Sequence, residues 1–168
     1  QRLDSARAMR QTPRDPMRDA AMPEPSLFDA GPFAPCPAPF NMAAHVLARA
    51  DLLARKEALR VVGGGRAEVW TYAALKAAVL GTGRGLLASG LAPGDILLLR
   101  LGNTVDFPLA YLGAIAAGLV PVPTAAGLTE REVCGMIDVL SPRAVLRDPE
   151  VACPAHAKTL TTDDLRAF

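Results

Sequence analysis

The residue types that could do chemistry in this 168-residue chain are few and scattered. Cys153 and His156 stand in a C-x-x-H spacing, half of a zinc site, with His45 and Cys36 as the conceivable further ligands. A structural zinc centre usually shows two closely spaced ligand pairs, and here there is one. The thiols therefore read as small apolar side chains and the histidines as incidental. Cys36, Cys134 and Cys153 are odd in number and far apart, which gives no disulfide framework.

Two glycine motifs invite a cofactor reading. Gly83-Arg-Gly85-Leu-Leu-Ala88 matches G-x-G-x-x-A, the dinucleotide fingerprint. That fingerprint works only in a strand-to-helix turn, where the helix N-terminus faces pyrophosphate. These glycines instead fall well inside a helical stripe, so they read as a place where the helix packs closely against the sheet. Gly63-Gly64-Gly65 lacks a following Lys-Ser/Thr and reads as a hairpin turn. Neither histidine neighbours a nucleophile, and no G-x-S-x-G elbow occurs. Asp163 and Asp164, being adjacent, diverge or cap a helix rather than form an acid–base pair. Ligands of open α/β sheets sit at the carboxyl ends of strands, which directs attention to Asn103, Thr104, Thr124 and Asp148. A turn or capping role explains each equally well. No catalytic, cofactor-binding or metal residue is assigned.

The elements that would position such residues begin at Phe40. Asn41 is an N-cap, and Met42, Val46, Leu47, Ala50 and Leu53 recur at helical spacing. Leu59–Val62 and Ala67–Trp70 flank the three glycines as a β-hairpin. Thr71 caps a helix with the stripe Leu75, Val79, Leu86, Leu87, ended by Gly90. Ile96–Leu101 is a near-continuous apolar run, as in a strand buried on both faces. A helix near 105–117 follows, with a large face (Leu109, Leu112, Ile115, Ala116) and a small one (Ala110, Gly113, Ala114, Ala117). Leu119–Pro123 is a strand whose Pro121 places it at an edge or removes a ladder bond. Thr129-Glu-Arg-Glu132 is a capping box with Leu128 and Val133 as its staple. The helix it starts buries Val133, Met136, Ile137 and Leu140 and stops at Ser141-Pro142. Ala144–Arg147 is the next strand, and 158–168 reads as one more strand and the start of a helix.

Strand–helix alternation with short links specifies parallel pairing. The fold class is α/β, a doubly wound, mostly parallel sheet with helices on both faces, preceded by a β-hairpin. Residues 1–39, with eight prolines and no sustained period, read as a disordered arm, and 40–168 as the α/β domain.

Bulk properties exclude several classes. A net charge of +1 exerts no pull toward nucleic acid, and 5% aromatics give no stacking surface for single strands. Phe107–Thr129 carries no charge, but Gly113, Gly118, Pro121 and Pro123 make it a buried helix and strand rather than a membrane span. With no signal peptide, a cytoplasmic location is expected.

Taken together, Phe40–Asp148 resembles the start of the adenylate-forming superfamily, which includes acyl- and aryl-CoA synthetases, luciferases and peptide-synthetase adenylation domains. The matching segments are Trp70-Thr-Tyr-Ala-Ala-Leu75, Gly90-Leu-Ala-Pro-Gly-Asp95, Gly102-Asn103, Leu112–Pro123, Leu128-Thr-Glu-Arg-Glu-Val133 and Ala144-Val-Leu146. Phe40-Asn41-Met42 is similar to the opening of benzoate-type and medium-chain CoA ligases. The sequence departs from the family at Ala74, where a Glu is usual, at Pro108, and at Thr124-Ala-Ala.

The resemblance implies an incomplete amino-terminal subdomain of an AMP-binding domain. The family's phosphate loop, ribose-binding Asp and catalytic Lys all fall beyond Phe168, so the chain alone is expected to be inactive. For the full-length parent it implies ATP, Mg²⁺ and CoA as cofactors and a small carboxylic acid as partner. A second copy of the chain is the one protein partner left open. Gln1 in place of Met, and an end inside a strand–helix element, favour a truncated ligase. A stand-alone α/β binding module and a chance match on a flavodoxin-like domain are the alternatives.

Overall fold

The computed structural model describes residues 29, 31–63 and 67–166. The chain divides into a unit ending at Cys36 and a second from Pro37 onward. Of the first, only 29 and 31–36 are described, so the expected arm lies mostly outside the described residues. The tip of the glycine turn, 64–66, and the last two residues also lie outside them.

In chain order the second unit runs α1 (Met42–Leu47), β1 (Glu57–Val61), β2 (Glu68–Thr71), α2 (Tyr72–Ala88), β3 (Ile96–Arg100), α3 (Asp106–Ala116), β4 (Val120–Pro123), α4 (Glu130–Leu140), β5 (Ala144–Arg147), β6 (Thr159–Thr161) and α5 (Thr162–Arg166). β1 and β2 pair antiparallel as the expected hairpin. The other four strands form one parallel sheet in the order β4-β3-β5-β6.

Alternation along β3 divides the core. Leu97 and Leu99 face a layer containing Leu86 of α2, Ala110 and Ala114 of α3 and Leu165 of α5. Leu98 faces the opposite layer, with Val145 of β5 and Val133 of α4. All three leucines are fully buried, as a strand covered on both faces requires. Among the described residues β4 pairs with β3 alone, so Pro121 occupies an edge strand, one of the two places expected for it.

Two local expectations are corrected. The first helix stops at Leu47 rather than continuing through Leu53, and Val46 is half exposed. Beyond it the chain runs on in turns, and past Leu53 the Lys56 and Ala54 carbonyls accept from Tyr72 and Ala73 N–H. In α2 the buried stripe runs Leu75, Val79, Gly83, Gly85 and Leu86, leaving Leu87 exposed. In α3 the small residues Ala110, Gly113 and Ala114 are buried with Leu109, while Leu112 and Ile115 stay half-buried. α2 and α3 meet along one close seam. A Cβ on Gly83 would fall 2.9 Å from the Gly113 carbonyl oxygen, and one on Gly113 would fall 2.7 Å from Thr82 Cγ2. Gly83 of the G-x-G segment is thus a close-packing point, and the element it meets is helix α3.

The capping box forms as the sequence indicates. Thr129 N–H and Oγ1–H donate to Glu132 Oε2 at 2.8 and 2.7 Å, and Glu132 N–H returns a bond to Thr129 Oγ1 at 3.4 Å. The Thr129 hydroxyl, then its N–H, hold the Glu132 carboxyl below the usual carboxylate range. A carboxyl with a lowered folded-state pKa stabilises above its unfolded value, and that contribution is lost as pH falls through the lowered one. Glu132→Gln is therefore expected to lower the denaturation midpoint at neutral pH. The difference from the parent should vanish once the carboxylate is protonated, a trend readable in denaturant titrations at stepped pH.

Candidate functional site

The carboxyl ends of β3, β4 and β5 converge on one rim, built from residues 101–105, 124–129 and 148–153. Of the candidates the strand rule points to, Thr124 and Asp148 lie on this rim with their side chains occupied. Thr124 Oγ1–H donates to the Leu99 carbonyl at 2.7 Å, closing β4 onto β3. Asp148 Oδ1 accepts from Glu150 N–H at 2.9 Å and shapes the turn after β5. Thr104 Oγ1 accepts from Asp106 N–H at 3.3 Å at the start of α3, and Asn103 is exposed.

The residue that organises the rim is Arg100, the last residue of β3. It is 0% exposed. Its Nε and Nη2 donate to the Ala152 carbonyl at 3.1 and 2.6 Å. Nη1 donates to Thr124 Oγ1 at 3.2 Å and the Ala125 carbonyl at 2.6 Å. Nη2 also reaches the Ala126 and Leu128 carbonyls at 3.2 and 3.4 Å. Strand register places Arg100 opposite Arg147 of β5. Arg147 in turn donates to the Pro149 and Val151 carbonyls at 2.8 and 3.0 Å. Two guanidiniums therefore hold one loop, 148–152, and every partner described for them is a carbonyl or hydroxyl oxygen. The one sequence signal for this was a lone arginine enclosed by leucines in Ile96–Leu101.

Cys153 packs beside the α4 layer, and burial pushes its thiol up, opposed by the charges of Arg147 and Arg100. His156 folds back on its own chain, with Nδ1 3.2 Å from Lys158 N–H. His45 lies against Phe40, ring centroids 5.5 Å apart. Cys36 is exposed. Among the described residues no three His, Cys, Asp or Glu side chains come together as a metal site needs. Asp164 caps α5, its Oδ2 accepting from Thr161 N–H at 2.7 Å, and so takes the capping role of the two readings offered for it. Among the described residues no helix is long and apolar enough to cross a membrane.

A cleft of about 450 Å³ lies between the hairpin, α2, α3 and α5, with Trp70, Thr82, Leu109 and Leu165 among its walls and Glu68 and Asp106 among its lining residues. Trp70 Nε1–H donates to Glu68 Oε1 at 2.7 Å. The cleft combines apolar walls with two carboxylates, the composition of a small-molecule pocket.

Residues 48–166 match the model of a family described as AMP-binding enzyme. Protein Y of Streptomyces griseus is 31% identical over 90 residues, which cover 54% of this chain and 29% of that protein. A benzoate CoA ligase from Burkholderia xenovorans LB400 superposes with a TM-score of 0.61 at 26% identity, over 75% of this chain and 28% of the ligase. NpsA-ThdA from Klebsiella oxytoca, an artificially fused adenylation-PCP di-domain, superposes at 0.65 with 19% identity, over 73% of this chain and 23% of that one. The chain thus spans less than a third of the length of each of these relatives.

Proposed function

We propose, for a chain that belongs to the AMP-binding enzyme family, that it forms the amino-terminal scaffold of an enzyme joining a carboxylic acid to AMP and then to CoA. The observation that carries this reading is the extent of the family match, which takes in every element from β1 through α5. The CoA step is favoured by the 26% identity to a benzoate CoA ligase and by the Phe40-Asn41-Met42 opening.

Described residues of this chain do not by themselves fit a magnesium nucleotide. Each nitrogen of Arg100 is turned inward to carbonyl or hydroxyl oxygens, and Asp148 is tied to Glu150. Stabilising a transferring phosphoryl or adenylyl group needs preorganised donors aimed at it, and we assign these to parts of the protein outside this chain. What this chain supplies is a rigid sheet with a fixed rim. The reading places the parent enzyme in the cytoplasm, where ATP and CoA are at hand.

The test is product analysis on the full-length protein. With ATP, Mg²⁺, CoA and a panel of aromatic and medium-chain acids, mass spectrometry is expected to show an acyl-CoA thioester for at least one acid. Adenylate formed without any thioester would remove the CoA assignment. Absence of both would remove the ligase reading.

A further inference from the structure

A buried guanidinium whose partners are all neutral oxygens is an expensive way to join two loops. Taking the charge out of water costs several kcal/mol, and apolar packing of similar volume is often as stable. What apolar packing cannot do is fix carbonyl directions, whereas a planar guanidinium with its fork of donors can. Arg100 bonds to Thr124, Ala125, Ala126 and Leu128 on one side and to Ala152 on the other. It therefore sets the mutual position of the β4–α4 loop and the β5–β6 loop. These loops lie at the carboxyl ends of parallel strands, the end at which open α/β sheets take ligands.

We propose that Arg100 is a positioning residue: it locks loops 124–128 and 148–152 into a single rim and, through that rim, sets substrate affinity without touching substrate. The second half rests on the adenylate-forming reading; the first does not. Arg147, held to Pro149 and Val151, supports only one of the two loops. Among the described residues, Arg100 alone donates to both.

Cys153, directly after the clamped Ala152 and half-buried, reports on the lock. With Cys36→Ser and Cys134→Ser in the background, maleimide labelling of Cys153 is compared in the parent, Arg100→Lys and Arg100→Met. Loss of the charged hydrogen bonds is expected to speed labelling by about tenfold in Arg100→Met. Removing the cation alone would disfavour the thiolate and slow labelling, so acceleration reports loop release. Arg100→Lys keeps the charge but cannot reach both loops, and is expected to label severalfold faster than the parent. Should Arg100→Met not fold, Arg100→Lys decides; labelling at the parent rate in the folded variant overturns the lock.

In the full-length protein, Arg100→Lys is expected to raise KM for the acid or for ATP severalfold while kcat per folded molecule stays within about twofold. Unchanged KM for both substrates overturns the effect on affinity. A parent without any adenylation would fail the proposed function itself, leaving labelling to decide the lock.

Discussion

Gly83→Ala is expected to destabilise the chain by about 1–2 kcal/mol, while Gly81→Ala, two positions earlier in the same helix, stabilises it by about 0.5–1 kcal/mol. Both replacements gain the same helix propensity, since alanine loses less backbone entropy than glycine. They differ in what the new methyl meets. At Gly81 nothing lies within 4 Å, so propensity alone decides. At Gly83 the methyl would fall 2.9 Å from the Gly113 carbonyl oxygen, a backbone atom that cannot rotate aside. Helices α2 and α3 would have to separate along a seam that also contains Gly113, itself too close to Thr82 for a side chain. Overpacking of this kind typically costs 1–3 kcal/mol, roughly, and outweighs the propensity gain. Denaturant midpoints with unchanged slopes check both signs. Two substitutions shifting the midpoint in the same direction would refute the seam.

That seam also shows where the sequence stops being legible. A G-x-G inside a helical stripe announces close packing, but not the partner, because period alone cannot say whether a helix or a sheet lies opposite. Of the two faces of α3 the period distinguishes, Ala110, Gly113 and Ala114 of the small one are buried together with Leu109 of the large one, and at the seam Gly83 leaves room for a small neighbour only. Signals that act within a few residues were readable. The Thr129–Glu132 box, Pro121 on an edge strand and the leucines of β3 all appear where local chemistry places them. α1 ends earlier than its period indicates: beyond Leu47 the chain continues in turns with local bonds such as Leu53 N–H to the Arg49 carbonyl, and only past Leu53 do the Ala54 and Lys56 carbonyls meet α2. Arg100 was hidden because charge normally argues for the surface, and only the three-dimensional meeting of two loops supplies it with oxygens. The candidates Thr124 and Asp148 were placed at the right end of the sheet, but the rim uses them to shape itself.

The larger functional effect concerns the proposed division of labour between this chain and a longer parent enzyme. The family match covers residues 48–166, while this chain spans 28% of the benzoate CoA ligase it resembles. If the chain is scaffold, it should hold the fold and carry none of the chemistry, and the loss on removing everything after Phe168 should be complete rather than partial. Positioned donors for a developing phosphoryl charge commonly contribute several kcal/mol each, roughly, so the proposed division predicts no measurable adenylation by this chain alone.

Acid-dependent exchange of labelled pyrophosphate into ATP measures this directly, because it needs adenylate formation and nothing later. Residues 1–168 alone should give no exchange above a no-enzyme control, and the full-length protein should give robust exchange with at least one carboxylic acid. Exchange catalysed by residues 1–168 alone would contradict the account, as would a full-length protein that exchanges with none.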